Sequence, residues 1–182
     1  MNALRAFFRL LNKYFMVPAF KLGFGPIMGN PISGYIMVLK TIGNKSGLMR
    51  YAPVNYAIHE GKIYCLSGMG KIAHWYKNLS ANPKVEVILP SGIISGEAVT
   101  VTDADERLSL MRQILKNSGF ASFMSGINAF SISDADLLKK GEEMIVIRIS
   151  PDGIVAGSAD PGGKLWLWVT IITIVFVFAV VF

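Results

Sequence analysis

The stretch TIGNKSGLMRYAP, residues 41–53, places Lys45, Ser46 and Arg50 among Gly43 and Gly47, between two apolar, β-branched runs at 35–42 and 51–58. Two such runs joined by a short glycine-bearing loop are the signature of a β-hairpin. The loop itself is chemically loaded. Its glycines let backbone N–H groups converge, Ser46 adds a hydroxyl, and Lys45 and Arg50 add charge, with arginine able to fork onto phosphate or carboxylate. A phosphate clamp and an ordinary basic hairpin loop both fit these residues. About thirty residues on, HWYKNLSANP, residues 74–83, sets Trp75 and Tyr76 at the start of a short helix stopped by Asn82 and Pro83. The aromatic pair suits the wall of a flat-ring pocket or an ordinary piece of core.

Further strand-like runs follow the hairpin at 62–66, 84–89, 93–102 and 144–149, with turn signals at His59-Glu60-Gly61 and Pro90-Ser91-Gly92. Val85-Glu86-Val87 and residues 97–101 alternate as half-buried antiparallel strands do. Helices are expected at 72–81, at 106–117 behind the capping pair Asp103 and Glu106, and at 135–140 behind Ser133 and Asp136. Antiparallel strands broken by a few short helices point to an α+β, barrel-like domain and away from a doubly wound sheet.

Both ends of the chain add apolar helices to this plan. Leu4, Phe7, Phe8, Leu11, Tyr14 and Phe15 recur at helical spacing opposite Arg5, Arg9 and Lys13, so an amphipathic helix is expected to run to Pro18. It fits a membrane interface or the side of the domain. Residues 165–182 carry no charge, Gly or Pro. As a helix that run would be about 27 Å long against a hydrocarbon thickness of about 30 Å. A C-terminal transmembrane anchor is therefore expected, with Lys164, Trp166 and Trp168 at its start and the globular part on the cytoplasmic side. The expected organisation is a helix and connector over 1–33, a barrel domain over 34–157, a linker over 158–164 and the anchor over 165–182.

The charge of +6 is unevenly spread: residues 1–84 hold eleven Lys and Arg against one acid, Glu60. A basic half favours an anionic cofactor or membrane lipid, while no recognition helix, finger or RNA-binding signature accompanies it to suggest nucleic acid. The lone Cys65 cannot form an internal disulfide and lies in a strand-like run, where a small buried hydrophobe is expected. His59, His74 and one cysteine match no metal-ligand spacing. Gly68-Met69-Gly70-Lys71-Ile72-Ala73 has the form of a dinucleotide fingerprint, but its helix is short and no acid closes the following strand. No G-x-S-x-G elbow is present.

In order and spacing, T-x-G-N-K-S-G-x-x-R, P-V-N-Y (residues 53–56), L-S-G-M-G (66–70) and H-W-Y-K-N-L-S-A-N-P-K-V (74–85) resemble the deazaflavin-dependent nitroreductase family of the FMN-binding split-barrel superfamily. The likeness is strong over 39–90 and follows the order of elements over 34–149. It implies an antiparallel split β-barrel of six to seven strands. It also implies hydride transfer from reduced coenzyme F420 to a lipophilic acceptor: a quinone, an enone or a nitro compound.

By this resemblance Asn44, Lys45, Ser46, Gly47 and Arg50 hold the phosphate and acidic tail of the coenzyme. Tyr51, Ala52, Pro53, Val54 and Asn55 run along the ring with their backbone. Cys65, Leu66, Ser67 and Gly68, together with His74, Trp75, Tyr76, Lys77 and Asn78, close the remaining sides. Trp75 would line the space for substrate, and Ser67, a nearby tyrosine or water would deliver a proton. The chain departs from the family at three places: Gly68 where many members have lysine, Asn55 where tyrosine is frequent, and Phe120 and Phe123 where nitro-reducing relatives are tyrosine-rich. Alternatives are a split barrel that uses FMN and a non-catalytic barrel that carries a coenzyme or lipid.

Overall fold

The computed structural model describes residues 10–29, 34–90, 92–154 and 165–181. Six strands, β1 (Ile36–Ile42), β2 (Met49–His59), β3 (Lys62–Ser67), β4 (Lys84–Leu89), β5 (Gly92–Thr100) and β6 (Ile145–Ile154), close into an antiparallel barrel in the order β1-β2-β3-β6-β5-β4. The short helices are α1 (Val17–Lys21), α2 (Gly25–Met28), α3 (His74–Ala81), α4 (Ala104–Lys116), α5 (Phe120–Met124) and α6 (Asp134–Lys140), with α7 (Leu165–Val181) at the C-terminal end. The α+β barrel expected from the strand pattern is thus present with six strands, and β6 runs further than the apolar pattern at 144–149 suggested.

Period-two alternation sorts the strand residues into two cores. Met37, Leu39, Ile63, Cys65, Val87 and Ile149 fill the barrel interior, with Leu79 of α3 sealing one side. In the opposite phase Ala57, Tyr64 and Val146 face outward and pack under Leu110, Met111 and Ile114 of α4 and Leu137 of α6. Burying each such aliphatic side chain contributes roughly 1.5–3 kcal/mol. Both outer helices start where their caps predict. Asp103 Oδ1 accepts the Glu106 N–H at 2.8 Å, and Ser133 Oγ accepts the Asp136 N–H at 3.1 Å.

The barrel is open along one seam. Residues 49–55 of β2 pair with β1, but β2 meets β3 only over residues 56–59. The second edge of residues 49–55 therefore has no strand partner among the described residues. The end of β3 likewise pairs only with β6, through Leu66 and Ser67. This gap is the split in the barrel, and it leaves a row of backbone donors and acceptors for something other than a strand.

The N-terminal helix departs from its expected register. Residues 1–9, half of the expected amphipathic pattern, lie outside the described residues. From Asn12 to Met16 the helix widens into a π turn, with the Val17 N–H donating to the Asn12 carbonyl. Pro18 then sits in the first turn of α1, so the proline does not end the helical path. Pro18 has no N–H to give, and its ring crowds the carbonyl four residues back, so the wider turn relieves a clash that a regular helix would carry there. The register shift moves Tyr14 and Phe15 outward, and Met16 and Phe20 become the buried residues, packing on Val38 of β1. Lys21 Nζ stacks 3.8 Å from the Tyr51 ring and ties α1 to β2.

The expectation of a C-terminal transmembrane anchor, and with it a membrane location for the chain, is corrected here. α7 has 17 residues, about 25 Å of helix by the usual rise, short of a hydrocarbon core of about 30 Å. Among the described residues no helix is long and apolar enough to cross a membrane. The expected linker over 158–164 lies outside the described residues.

Candidate functional site

The β1–β2 hairpin loop is shaped by its own backbone before any side chain is considered. Gly43 N–H donates to the Leu48 carbonyl at 2.8 Å, while the Ser46 and Gly47 N–H groups donate back to the Gly43 carbonyl. Gly47 adopts a φ of 65°, and a Cβ on Gly43 would sit 2.8 Å from Ser46 Oγ, so both positions favour glycine for steric reasons. Ser46 Oγ in turn accepts from an Arg50 guanidinium N–H at 3.2 Å, which holds the arginine across the loop. Asn44, Lys45, Ser46, Gly47 and Arg50 are all exposed. Neither Lys45 nor Arg50 has a carboxylate partner among the described residues. Two uncompensated cations over a glycine-shaped loop make a fitting chemical cradle for a phosphate or carboxylate.

Asn78 joins the loop to the helix that follows thirty residues later. Its Oδ1 accepts the Asn44 N–H at 3.0 Å, and its Nδ2 donates to Thr41 Oγ1 at 3.1 Å. Asn78 and Thr41 are both buried, 8 % and 1 % exposed, so the bond between them forms away from competing water. The two stretches singled out in the sequence therefore meet through one amide. Trp75 and Tyr76, one turn earlier on α3, are half-buried against the barrel-interior cluster, while His74 and Lys77 are exposed.

The open β2 edge runs away from this cradle. From Arg50 to Asn55 it covers about 17 Å at the usual rise per residue. The end of β3 and the following loop flank the gap. Ser67 is buried with its Oγ donating to the Gly70 carbonyl at 2.8 Å, which fixes the Ser67–Gly70 turn, and Gly68 is exposed. Cys65 points into the barrel interior and is fully buried, which pushes its thiol up to about 12. Its backbone is paired on both sides, with Tyr56 of β2 and Ile147 of β6, so Cys65 closes the end of the gap and does not line it. Burial, and then the neighbouring Tyr35, hold the Tyr56 phenol above its ordinary range, so it carries its proton at neutral pH.

At the far end of the open edge lies a cavity of about 300 Å³. Pro53, Val54 and Asn55 all line it. Ile36 of β1, the register partner of Asn55, and Met28 of α2 line it too, so the space lies across the end of the β1–β2 pair. Its other walls come from the N-terminal helix through Leu11, Asn12, Phe15 and Met16, and from α5 through Phe120 and Ala121. Ser67 and Trp75 are not among the residues that line it. The sequence had no candidate on the N-terminal helix, and it located no helix at 120–124. Asn12, a lone amide in an apolar run, was the available sign.

The family model for F420H(2)-dependent quinone reductases matches residues 19–129. Among solved structures, the chain resembles a putative 5-nitroimidazole antibiotic resistance protein from Bacteroides thetaiotaomicron, at 14% identity over 65% of this chain and 74% of that one, with a TM-score of 0.49. It also resembles an F420-H2 dependent reductase, FDR-A, at 22% identity over 63% of this chain and 93% of that one, with a TM-score of 0.42. The family match covers the hairpin cradle, the open edge, α3 and the cavity wall of α5 in one continuous span. This chain belongs to the F420H(2)-dependent quinone reductase family and is an oxidoreductase whose coenzyme is F420.

Proposed function

We propose that the protein transfers a hydride from reduced F420 to a small, lipophilic, quinone-like acceptor held at the open edge of β2. The observation that carries this reading is the arrangement along that edge: an uncompensated cationic cradle at one end and an apolar cavity at the other. Asn44, Lys45, Ser46, Gly47 and Arg50 would hold the anionic part of the coenzyme. The open edge of residues 51–55 would align its ring, with Leu66, Ser67, Gly68 and Trp75 bounding the opposite side. When bound, the reduced coenzyme supplies the hydride.

The chain's own work is orientation and exclusion of water. Asn78 fixes the distance between cradle and helix. The apolar walls from the N-terminal helix and Phe120 favour a flat, poorly hydrated acceptor. Tyr56 keeps its phenol protonated at neutral pH. Phenylalanines at 120 and 123 give no hydroxyl to a nitro group, which favours quinone and enone acceptors over nitro compounds.

The test is a titration of the full-length chain with F420, followed by oxidation of the reduced coenzyme by menadione. Saturable binding and acceptor-dependent loss of the reduced coenzyme are expected. Purification with tightly held FMN and no affinity for F420 would favour the FMN reading. Binding of F420 without turnover by quinone, enone or nitro acceptors would favour a carrier.

A further inference from the structure

We infer that Asn12 is a specificity-determining residue that hydrogen-bonds the carbonyl edge of the acceptor, an inference that rests on the quinone reductase reading of the cavity. Asn12 brings a polar side chain to a wall otherwise made by Leu11, Phe15, Met16 and Phe120. Its side-chain amide has no hydrogen-bond partner among the described residues, although it is only partly exposed. A half-buried amide without a partner loses part of its hydration for nothing in return, unless a ligand completes it.

The backbone around Asn12 supports the same conclusion. Asn12 begins the π turn that ends at Met16, and its carbonyl accepts the wide-turn bond from Val17. Wide turns of this kind occur often at functional sites. Asn12, Phe15 and Met16 of this turn all line the same cavity.

A second amide faces that space from the opposite side. Asn55 donates from Nδ2 to the Tyr35 carbonyl at 3.2 Å, which fixes its orientation, and its Oδ1 has no donor among the described residues. The two amides differ in role. Asn55 is already held, whereas the donor and the acceptor of Asn12 both lack a partner among the described residues. An N–H from Asn12 matches a carbonyl oxygen on an apolar ring, and a space of about 300 Å³ suits one or two fused rings rather than a long chain. The acceptor class that fits is a compact quinone whose tail, when present, leaves the cavity.

The experiment compares full-length wild type with Asn12→Leu and Asn12→Gln. Equilibrium dialysis of menadione against coenzyme-free protein reads the cavity directly, and steady-state kinetics with reduced F420 read it in turnover. Asn12→Leu should raise both the menadione Kd and its KM about tenfold, the scale of one lost hydrogen bond, with the F420 Kd and thermal midpoint unchanged. Asn12→Gln should recover part of the loss. Equal menadione Kd and KM in wild type and Asn12→Leu would overturn the role of Asn12 while leaving F420-dependent turnover intact. A shift in the F420 Kd or the thermal midpoint that matches the change in menadione would also overturn it, as a structural effect. Menadione binding that depends on Asn12, in a wild type that never oxidises reduced F420, would support the amide contact and sink the reductase reading alone.

Discussion

The two ends of the open β2 edge are built in opposite ways. At the hairpin the groups that meet a ligand are exposed and polar, and they are held by a handful of bonds that converge on Ser46 and Asn78. At the other end the surroundings are apolar and come from elements distant in sequence, the N-terminal helix and α5. On the proposed reading the first end would recognise charge and tolerate water. The second would select by shape and by the removal of water. Binding of the coenzyme and choice of acceptor should therefore be separable by mutation, because almost no side chain serves both.

The largest effect is expected at the charged end. Arg50→Ala removes a guanidinium that Ser46 already holds in place, and the F420 Kd should rise about ten- to a hundredfold, or about 1–3 kcal/mol, with acceptor KM little changed. Isothermal titration checks this, and an equal loss in acceptor affinity would break the division between the ends.

Asn78→Ala should act on the cradle from behind. It leaves the Asn44 N–H and the buried Thr41 hydroxyl without their partner, so a loss of about 1–3 kcal/mol in stability is expected together with weaker coenzyme binding. Chemical denaturation measures the first and titration the second. Unchanged stability would mean that water replaces the amide freely.

Phe120→Ala tests the apolar end. Phe120 is 47% exposed, so only part of its surface supports the cavity, and a rise of about two- to fivefold in quinone KM is expected with no change in F420 Kd. Steady-state kinetics at saturating coenzyme read this difference. A larger effect on the coenzyme than on the quinone would place the ring deeper along the edge than the division assumes.

The same contrast explains what could be read from the sequence. The cradle is local: Gly43 to Arg50 is one hairpin loop, and its residue types carry its chemistry with them. Strand alternation was equally legible at Val85-Glu86-Val87, where the two valines declare their buried face by period two. Asn78 was placed among the site residues by resemblance, but its two bonds to the loop depend on packing between α3 and β1. The cavity depends on such packing throughout. Leu11, Tyr14 and Phe15 gave a regular helical stripe, and the π turn ahead of Pro18 then redirected it. Periodicity assumes constant pitch, so it could not show that Met16 and Phe20 would be the buried residues. At the C-terminal end an apolar run of the right composition fell short in helical length.

The buried cysteine has a consequence for the chemistry proposed beside it. Quinones are electrophiles and arylate thiolates, so an enzyme that handles them risks modifying itself. Cys65 is the single thiol of the chain, sealed in the barrel with its pKa raised to about 12. Burial holds it in the thiol form at neutral pH, and the surrounding side chains bar the approach. The barrel that shapes the site also keeps the one thiol out of reach of the proposed quinone acceptor.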